Sequence, residues 1–266
     1  MAANIDTGTN DLLASLDEGV LTLTLNRPEA RNTMTEAMEN ALAKQFAWAA
    51  SEPTVKCLVL TGAGKGFCAG GDVKGMAATG VGAAGGNTVD YQRATTGALF
   101  RMPKPTLAAL PGAAAGAGFP LALACDLRIM ASNAIMTTGF ARVGLSGLYG
   151  GSYFLTQLVG PAKARELYFL SERISASEAL RLGLTNWVCE PEELADKTRE
   201  IALRLARGPA VAFRVMKDNL NQALVGELDD CMDREAANQL ICSRTADHRE
   251  ASKAFVEKRE PVFQGL

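Results

Sequence analysis

The sequence predicts an α/β fold followed by a helical C-terminal part. Short apolar runs of strand length alternate with helix-length amphipathic stretches through residue 188. Glycine-rich loops separate several of these runs. From residue 191 onward only helical periodicity remains. The 266 residues and 48% hydrophobic content suit one α/β domain with a terminal extension.

Residues 19–25, GVLTLTL, alternate as a half-buried strand does, and NRPE follows as a turn. Residues 35–50 place Met38, Leu42, Phe46 and Ala49 on one side of a helix, with Thr33 or Thr35 as its cap. Residues 56–60 read as a buried strand, leading into the loop GAGKGFCAGGD at 62–72. Residues 75–87, GMAATGVGAAGGN, offer few groups able to offset the entropy of ordering and read as a mobile loop or weak helix. A helix over 89–101 is stopped by MPKP, and a third strand follows at 106–110.

The stretch GAAAGAGFPLALACD spans 112–126, with a helix starting near Gly118. Short strands are expected at 129–130 and 134–136, then helices over 152–159 and 161–170, with Pro161 suited to a helix start. SASEALRLG reads as a compact helix capped by Ser175 or Ser177 with Glu178 nearby, and Trp187 and Val188 as the last strand. Helices over 191–207, 210–223, 227–244 and 248–257 complete the chain.

Net charge is −2 and no long basic block stands out, which argues against nucleic-acid binding. The apolar runs are too short to span a bilayer, and the N-terminus lacks a basic start followed by an apolar core. The six cysteines, Cys57, Cys68, Cys125, Cys189, Cys231 and Cys242, show no CxxC spacing and read as thiols in a reducing cytoplasm. His248 is the single histidine, which disfavours a zinc site or a histidine-based triad. No metal and no separate cofactor are expected.

Glycine-rich loops between strand and helix bind anions or carbonyls through backbone N–H groups. GAGKGFCAGGD lacks the ending of a P-loop, and neither loop matches a dinucleotide fingerprint. Two such loops are compatible with a split oxyanion site. One N–H would come from Gly71 or its neighbour and the other from the helix start near Ala117 and Gly118. The same glycines are equally compatible with tight turns and close helix packing.

In its ordered motifs the chain resembles the crotonase superfamily, the enoyl-CoA hydratases and isomerases. The resemblance runs through LTLNRPEARNTM, GAGKGFCAGGDVKGM, PKPTLAALPGAAAGAGFPLALACDLRI, VGLSGLYGGSYFLTQLVG, ASEALRLGLTNWV and AFVEKREPVF. It implies a crotonase-like spiral of repeated ββα units over residues 1–205, and a C-terminal helical trimerisation or lid region over 206–266. It implies a cytoplasmic homo-trimer or dimer of trimers that acts in fatty acid metabolism on an acyl-CoA or enoyl-CoA, with coenzyme A as part of the substrate. By the same resemblance Gly71 and Ala117 donate the oxyanion N–H groups, and the reaction passes through a thioester enolate. Ala69, Asp72 and Val73 receive the adenine end of CoA, Ala30 and Arg31 lie near pantetheine and diphosphate, and Phe255 and Lys258 approach the adenosine part.

The positions where the family carries its acid/base carboxylates read Pro120, Phe140 and Leu148. This marks a divergent member whose acyl pocket is apolar at three places that elsewhere move protons. Tyr149, beside Leu148, is the leading substitute, set against a packing role for its ring. Ser146, Thr137 and Thr138 are expected to hold at most a water, and Asp90, Tyr91 and Arg93 to fold over the substrate or lie on a helix surface. Cys68 is read as a packing residue and His248 as a surface residue. The activity expected is that of an enoyl-CoA hydratase or isomerase. The alternatives are an acyl-CoA isomerase or hydrolase with a non-standard base, or a non-catalytic acyl-CoA-binding protein.

Overall fold

The computed structural model describes residues 2–71 and 88–266. Its N-terminal strands are β1 (Ala3–Ile5), β2 (Leu12–Asp17) and β3 (Val20–Leu25), followed by helix α1 (Glu36–Ser51). Thr35 caps α1 by accepting the Met38 N–H at 3.1 Å, a bond that stabilises a helix start by about 1 kcal/mol. Met38, Leu42, Phe46 and Ala49 are fully buried, as the apolar spacing predicts. β1 and β2 went unread in the sequence, because LLASLD has only weak alternation.

Next come β4 (Cys57–Gly62), β5 (Gly66–Cys68), α2 (Thr88–Ala94), α3 (Thr96–Phe100), β6 (Thr106–Leu110), β7 (Ala113–Ala115), α4 (Gly118–Leu123), β8 (Leu127–Ala131) and β9 (Ile135–Thr137). The helix expected over 89–101 is two helices, broken at Thr95, whose ψ of −93° is not helical. β5 and β7 lie inside stretches read only as glycine loops; three residues are too few for a period-2 signal.

Helix α5 (Gly151–Leu170) is broken at Gly160, where φ is +75°, and Pro161 restarts it, which matches the two helices read there. β10 (Ile174–Ser175), α6 (Ala176–Arg181) and β11 (Trp187–Cys189) follow, with Ser175 capping α6 through the Glu178 N–H at 3.2 Å. The remainder is helical: α7 (Leu194–Ala206), α8 (Ala210–Ala223), α9 (Leu228–Ser243) and α10 (Ala246–Glu257).

A seven-stranded sheet has the order β1-β2-β3-β4-β6-β8-β11, parallel from β3 onward. A four-stranded sheet has the order β10-β9-β7-β5. The chain alternates between them. β4, β6 and β8 lie in the large sheet, and each is followed by a strand of the small one: β5, β7 and β9. Helices α4 and α5 close the second and third of these units, giving repeated ββα turns. The inner strands are apolar on both faces; every residue of β6 is buried.

The C-terminal helices are tied to this core by Lys217 of α8. Its Nζ lies 2.9 Å from the Asp126 carboxylate, which also accepts the Thr106 N–H and hydroxyl at 2.8 and 2.9 Å. Asp126, the last residue of the LACD motif, thus anchors both the start of β6 and a C-terminal helix. Among the described residues no helix is long and apolar enough to cross a membrane.

Candidate active site

Three loops leave the same edge of the small sheet. β5, β7 and β9 are parallel neighbours, and residues 69–71, 116–117 and 138–140 follow them directly. The C-terminal edge of parallel strands is where α/β folds collect ligand-binding groups. Gly71, Ala117 and Phe140, distant in sequence, are brought to this one edge.

The first two loops interlock. A Cβ on Gly70, where φ is +91°, would sit 2.9 Å from the Ala115 carbonyl oxygen and 3.0 Å from the Ala117 nitrogen. A Cβ on Gly118 would run into the carbonyl and side chain of Cys68. Glycine is required at both places because backbone packs on backbone. Ala117 itself needs no such freedom: its φ of −63° is ordinary, and its Cβ leaves the N–H intact. Among the described residues the N–H groups of Gly71 and Ala117 have no hydrogen-bond acceptor. Gly71 is half-buried and Ala117 buried, so both donors sit where a hydrogen bond is worth more than in water.

The turn 27–34 clamps the first loop from the other side. Met34 N–H donates to the Gly70 carbonyl at 2.8 Å, and Ala69 N–H donates to the Arg31 carbonyl at 3.0 Å. The fully buried Asn32 donates to the carbonyls of Ala63 and Gly66 at 3.0 and 2.8 Å and accepts the Arg27 N–H at 2.8 Å. Ala30, exposed Arg31 and Ala69 therefore lie together on one side of the loop. The sequence singled out Ala30 and Arg31 but passed over Asn32, whose signal was a lone amide in a turn that already held a proline. Asp72 and Val73, and the weak helix or loop expected at 75–87, lie outside the described residues.

Pro120 occupies the first turn of α4, where its missing N–H interrupts no helical bond. Arg128 stabilises the other end of α4. Its buried guanidinium donates to the Cys125 carbonyl at 2.6 Å, the Leu123 carbonyl at 3.4 Å and the Leu184 carbonyl at 2.8 Å. The wall beside the donors is apolar: Pro120 and Phe140 are buried, and Leu148 packs against the core.

Tyr149 follows Leu148 with φ +57°. Its hydroxyl donates to the Glu39 carboxylate of α1 at 2.5 Å, and its own N–H donates to the Gln92 side-chain oxygen at 2.6 Å. Burial and the adjacent Glu39 carboxylate push the Tyr149 phenol far up, so it stays protonated. Burial raises Glu39 above the ordinary carboxylate value of 4.5, against the lowering effect of the Tyr149 hydrogen bond. Sequence reading missed both Glu39 and Gln92, since each looks like ordinary helix surface.

The other polar candidates do not converge here. Thr137 and Thr138 are spent on backbone: their hydroxyls bond the Ser171 carbonyl at 3.2 Å and the Leu167 carbonyl at 3.0 Å. Ser146 is exposed, and Asp90 and Arg93 pair at 3.9 Å on the surface of α2. Cys68 is fully buried and its thiol is pushed up to about 12 by burial, which suits packing and not nucleophilic attack. His248, Phe255 and Lys258 are exposed on or beside α10. Among the described residues no cluster of His, Cys, Asp and Glu has the make-up of a metal site. A cleft of about 490 Å³ lies between the large sheet and α7, lined by Val20, Val59, Ala109 and Leu194 among others, but touches none of the loop donors.

Comparison with known proteins points to one family. The chain is 37% identical over 257 residues to the 1,2-epoxyphenylacetyl-CoA isomerase of Escherichia coli strain K12, covering 96% of this chain and 98% of that protein. It is 34% identical over 262 residues to the crotonyl-CoA hydratase of Syntrophomonas wolfei, covering 95% and 97%. The crystal structure of an enoyl-CoA hydratase from Bacillus anthracis superposes with a TM-score of 0.89 at 30% identity, covering 96% of this chain and all of that one (100%). Residues 15–265 match the Enoyl-CoA hydratase/isomerase family, and the chain belongs to it.

Proposed function

We propose that Gly71 and Ala117 receive the thioester oxygen of an acyl-CoA and stabilise the enolate formed when a proton leaves the acyl chain. The chain is an enzyme of the enoyl-CoA hydratase/isomerase type acting on acyl-CoA thioesters. The observation that carries the residue assignment is the interlocked pair of loops, which brings a half-buried and a buried backbone donor to one sheet edge. Each donor of this kind contributes about 3 kcal/mol to a transition state that gains negative charge on oxygen.

The positions that resemble the family's carboxylates are Pro120, Phe140 and Leu148, and none of them moves a proton. The proton carrier proposed instead is Tyr149, whose hydroxyl donates to the Glu39 carboxylate at 2.5 Å. One such pair suits double-bond isomerisation better than hydration. A C–H bond of the acyl chain breaks, and its electron pair passes into the enolate. The proton goes to the Tyr149 oxygen as the Tyr149 proton moves to Glu39. Reversal of the same transfer at another carbon completes the shift, and no second acid or co-reactant is needed. Hydration requires a further group to activate water.

Ala30, Arg31, Ala69, Asp72, Val73, Phe255 and Lys258 are proposed to hold CoA. The exposed apolar side chains Leu220, Leu228, Met232 and Leu240 on α8 and α9 support homo-oligomer formation through residues 206–266, as a trimer or a dimer of trimers in the cytoplasm. The test is to incubate the protein with 2-enoyl-CoA and 3-enoyl-CoA thioesters while following absorbance and mass. Isomerisation changes absorbance at constant mass. Gain of one water redirects the proposal to hydration, and release of free CoA to hydrolysis. Binding with no product would leave a binder and remove the Tyr149 assignment.

A further inference from the structure

Among the described residues three buried side-chain polar atoms have no hydrogen-bond partner: Gln45 Oε1, Thr198 Oγ1 and the Tyr168 hydroxyl. Only the last stands at the wall of the candidate site. A Cβ added to Gly151 would lie 2.6 Å from this hydroxyl and 3.3 Å from Cβ of Pro120. A Cβ added to Gly147 would lie 3.3 Å from the same oxygen and 3.5 Å from the Phe140 ring. The Tyr168 ring stacks on Phe140, with centroids 6.3 Å apart and planes at 16°. The hydroxyl is thus held in a gap kept open by two glycines, between Pro120 and Phe140.

Burial pushes this phenol up to about 12, so at neutral pH it is a donor that keeps its proton. Leaving a buried hydroxyl unpaired costs about 10- to 100-fold in an equilibrium constant. Its neighbours Pro120, Phe140, Gly147 and Gly151 carry no side-chain acceptor. A purely hydrocarbon acyl chain would seal the hydroxyl in, still unpaired. An acyl chain with an oxygen atom at that point would pair it.

We propose that Tyr168 is a specificity-determining residue whose hydroxyl donates a hydrogen bond to an oxygen on the acyl group, so that the substrate class is oxygen-bearing acyl-CoA thioesters. The proposal rests on the acyl-CoA reading of the site. It selects among such thioesters by the cost of leaving a buried donor unmatched, a stronger discriminator than the fit of one more methylene.

The test is the dissociation constant of butyryl-CoA, 3-hydroxybutyryl-CoA and 4-hydroxybutyryl-CoA, measured by calorimetry for the wild-type protein, Tyr168→Phe and Gly151→Ala. At least one hydroxyacyl thioester is expected to bind wild type about 10- to 100-fold more tightly than butyryl-CoA. Tyr168→Phe is expected to abolish that preference while binding butyryl-CoA at least as well and melting no lower. Gly151→Ala, which displaces the hydroxyl and leaves it present, is expected to weaken the preference. Equal binding of all three thioesters by wild type would overturn the Tyr168 proposal and leave the acyl-CoA reading standing. A preference that survives in Tyr168→Phe would do the same. Failure of wild type to bind any of the three would overturn the acyl-CoA reading, and this inference with it.

Discussion

The two sides of the candidate site are built on opposite principles. The donor side is backbone: Gly71 and Ala117 present N–H groups, and Gly70 and Gly118 allow two loops to touch where no Cβ fits. The facing wall is side chain: Pro120, Phe140, Leu148, Tyr149 and Tyr168. Backbone geometry survives changes of side chain, provided the few glycines at the crossing remain. A side-chain wall changes with each substitution and leaves the fold alone. On the proposed roles, the class of ligand is written in the donor side and the chemistry in the wall. The chain shares its family's fold, and the proposed divergence of the wall is a change of side chains that such a fold can absorb.

The sharpest way to break this comparison is to damage the donor side without touching the wall. Ala117→Pro removes one N–H at a residue whose φ of −63° already suits proline. Turnover is expected to fall by about 10²- to 10³-fold, the cost of one oxyanion donor. Binding of a saturated acyl-CoA is expected to change far less, because its carbonyl carries little charge. Because Gly116 precedes the new proline with φ +53°, the melting temperature is measured beside the kinetics. A folded variant with unchanged kcat would remove Ala117 from the mechanism.

The wall is probed next by Tyr149→Phe. Loss of a proton carrier is expected to lower isomerisation by about 100-fold with little effect on acyl-CoA binding. The same variant has a pH signature. Glu39 has a raised folded-state pKa, so its contribution to stability is complete below the unfolded value and is lost as pH rises through the folded one. Removing the Tyr149 hydroxyl deletes the bond that holds the Glu39 pKa down, and the folded value climbs further. The variant is thus expected to be less stable than wild type by about 1–2 kcal/mol at pH 8, with a smaller gap at pH 4. Denaturant unfolding at the two pH values reads this directly; an equal gap at both would show that Glu39 ionisation is not coupled to Tyr149.

Leu148→Asp asks whether the wall can be rewritten. Leu148 is half-buried beside Tyr149, so a carboxylate there keeps some contact with water. Isomerisation is expected to rise about 10-fold, a fraction of what a well-placed acid/base group supplies. No change in rate with a thioester that demonstrably binds would show that this position does not face the reacting carbons.

The contrast between backbone and side chain also sets what the sequence made legible. The helix periodicity of α1 and the break at Gly160 are local and were readable, and each cap was narrowed to two residues, of which Thr35 and Ser175 are the ones used. Gly71 and Ala117 were singled out by the resemblance that ordered the glycine motifs, and their loops follow neighbouring parallel strands and interlock. Strands β5 and β7 were not, since three-residue strands gain their identity from parallel neighbours distant in sequence. Glu39 and Tyr168 escaped for the same reason. A glutamate on α1 gains its role only when Tyr149 is folded onto it, 110 residues away in sequence. Tyr168 reads as one more aromatic on an amphipathic helix until Gly147 and Gly151 are seen to leave its hydroxyl a gap. Long-range contacts between side chains carry no local pattern.

The smallest expected effect lies outside both sides of the site, at the proposed CoA contacts. Lys258 ends α10 in a left-handed turn, φ +55°, with an exposed ammonium group. An exposed cation facing a phosphate in water contributes at most about 1 kcal/mol, and salt screens it. Lys258→Ala is therefore expected to raise KM for a CoA thioester about threefold at low ionic strength and to leave kcat unchanged. The difference is expected to shrink in high salt and to vanish with a pantetheine thioester, which has the same acyl group and no phosphate. A loss that persists with the pantetheine ester would place Lys258 near the reacting end of the substrate. The division of labour would then extend to a third region that the fold alone does not reveal.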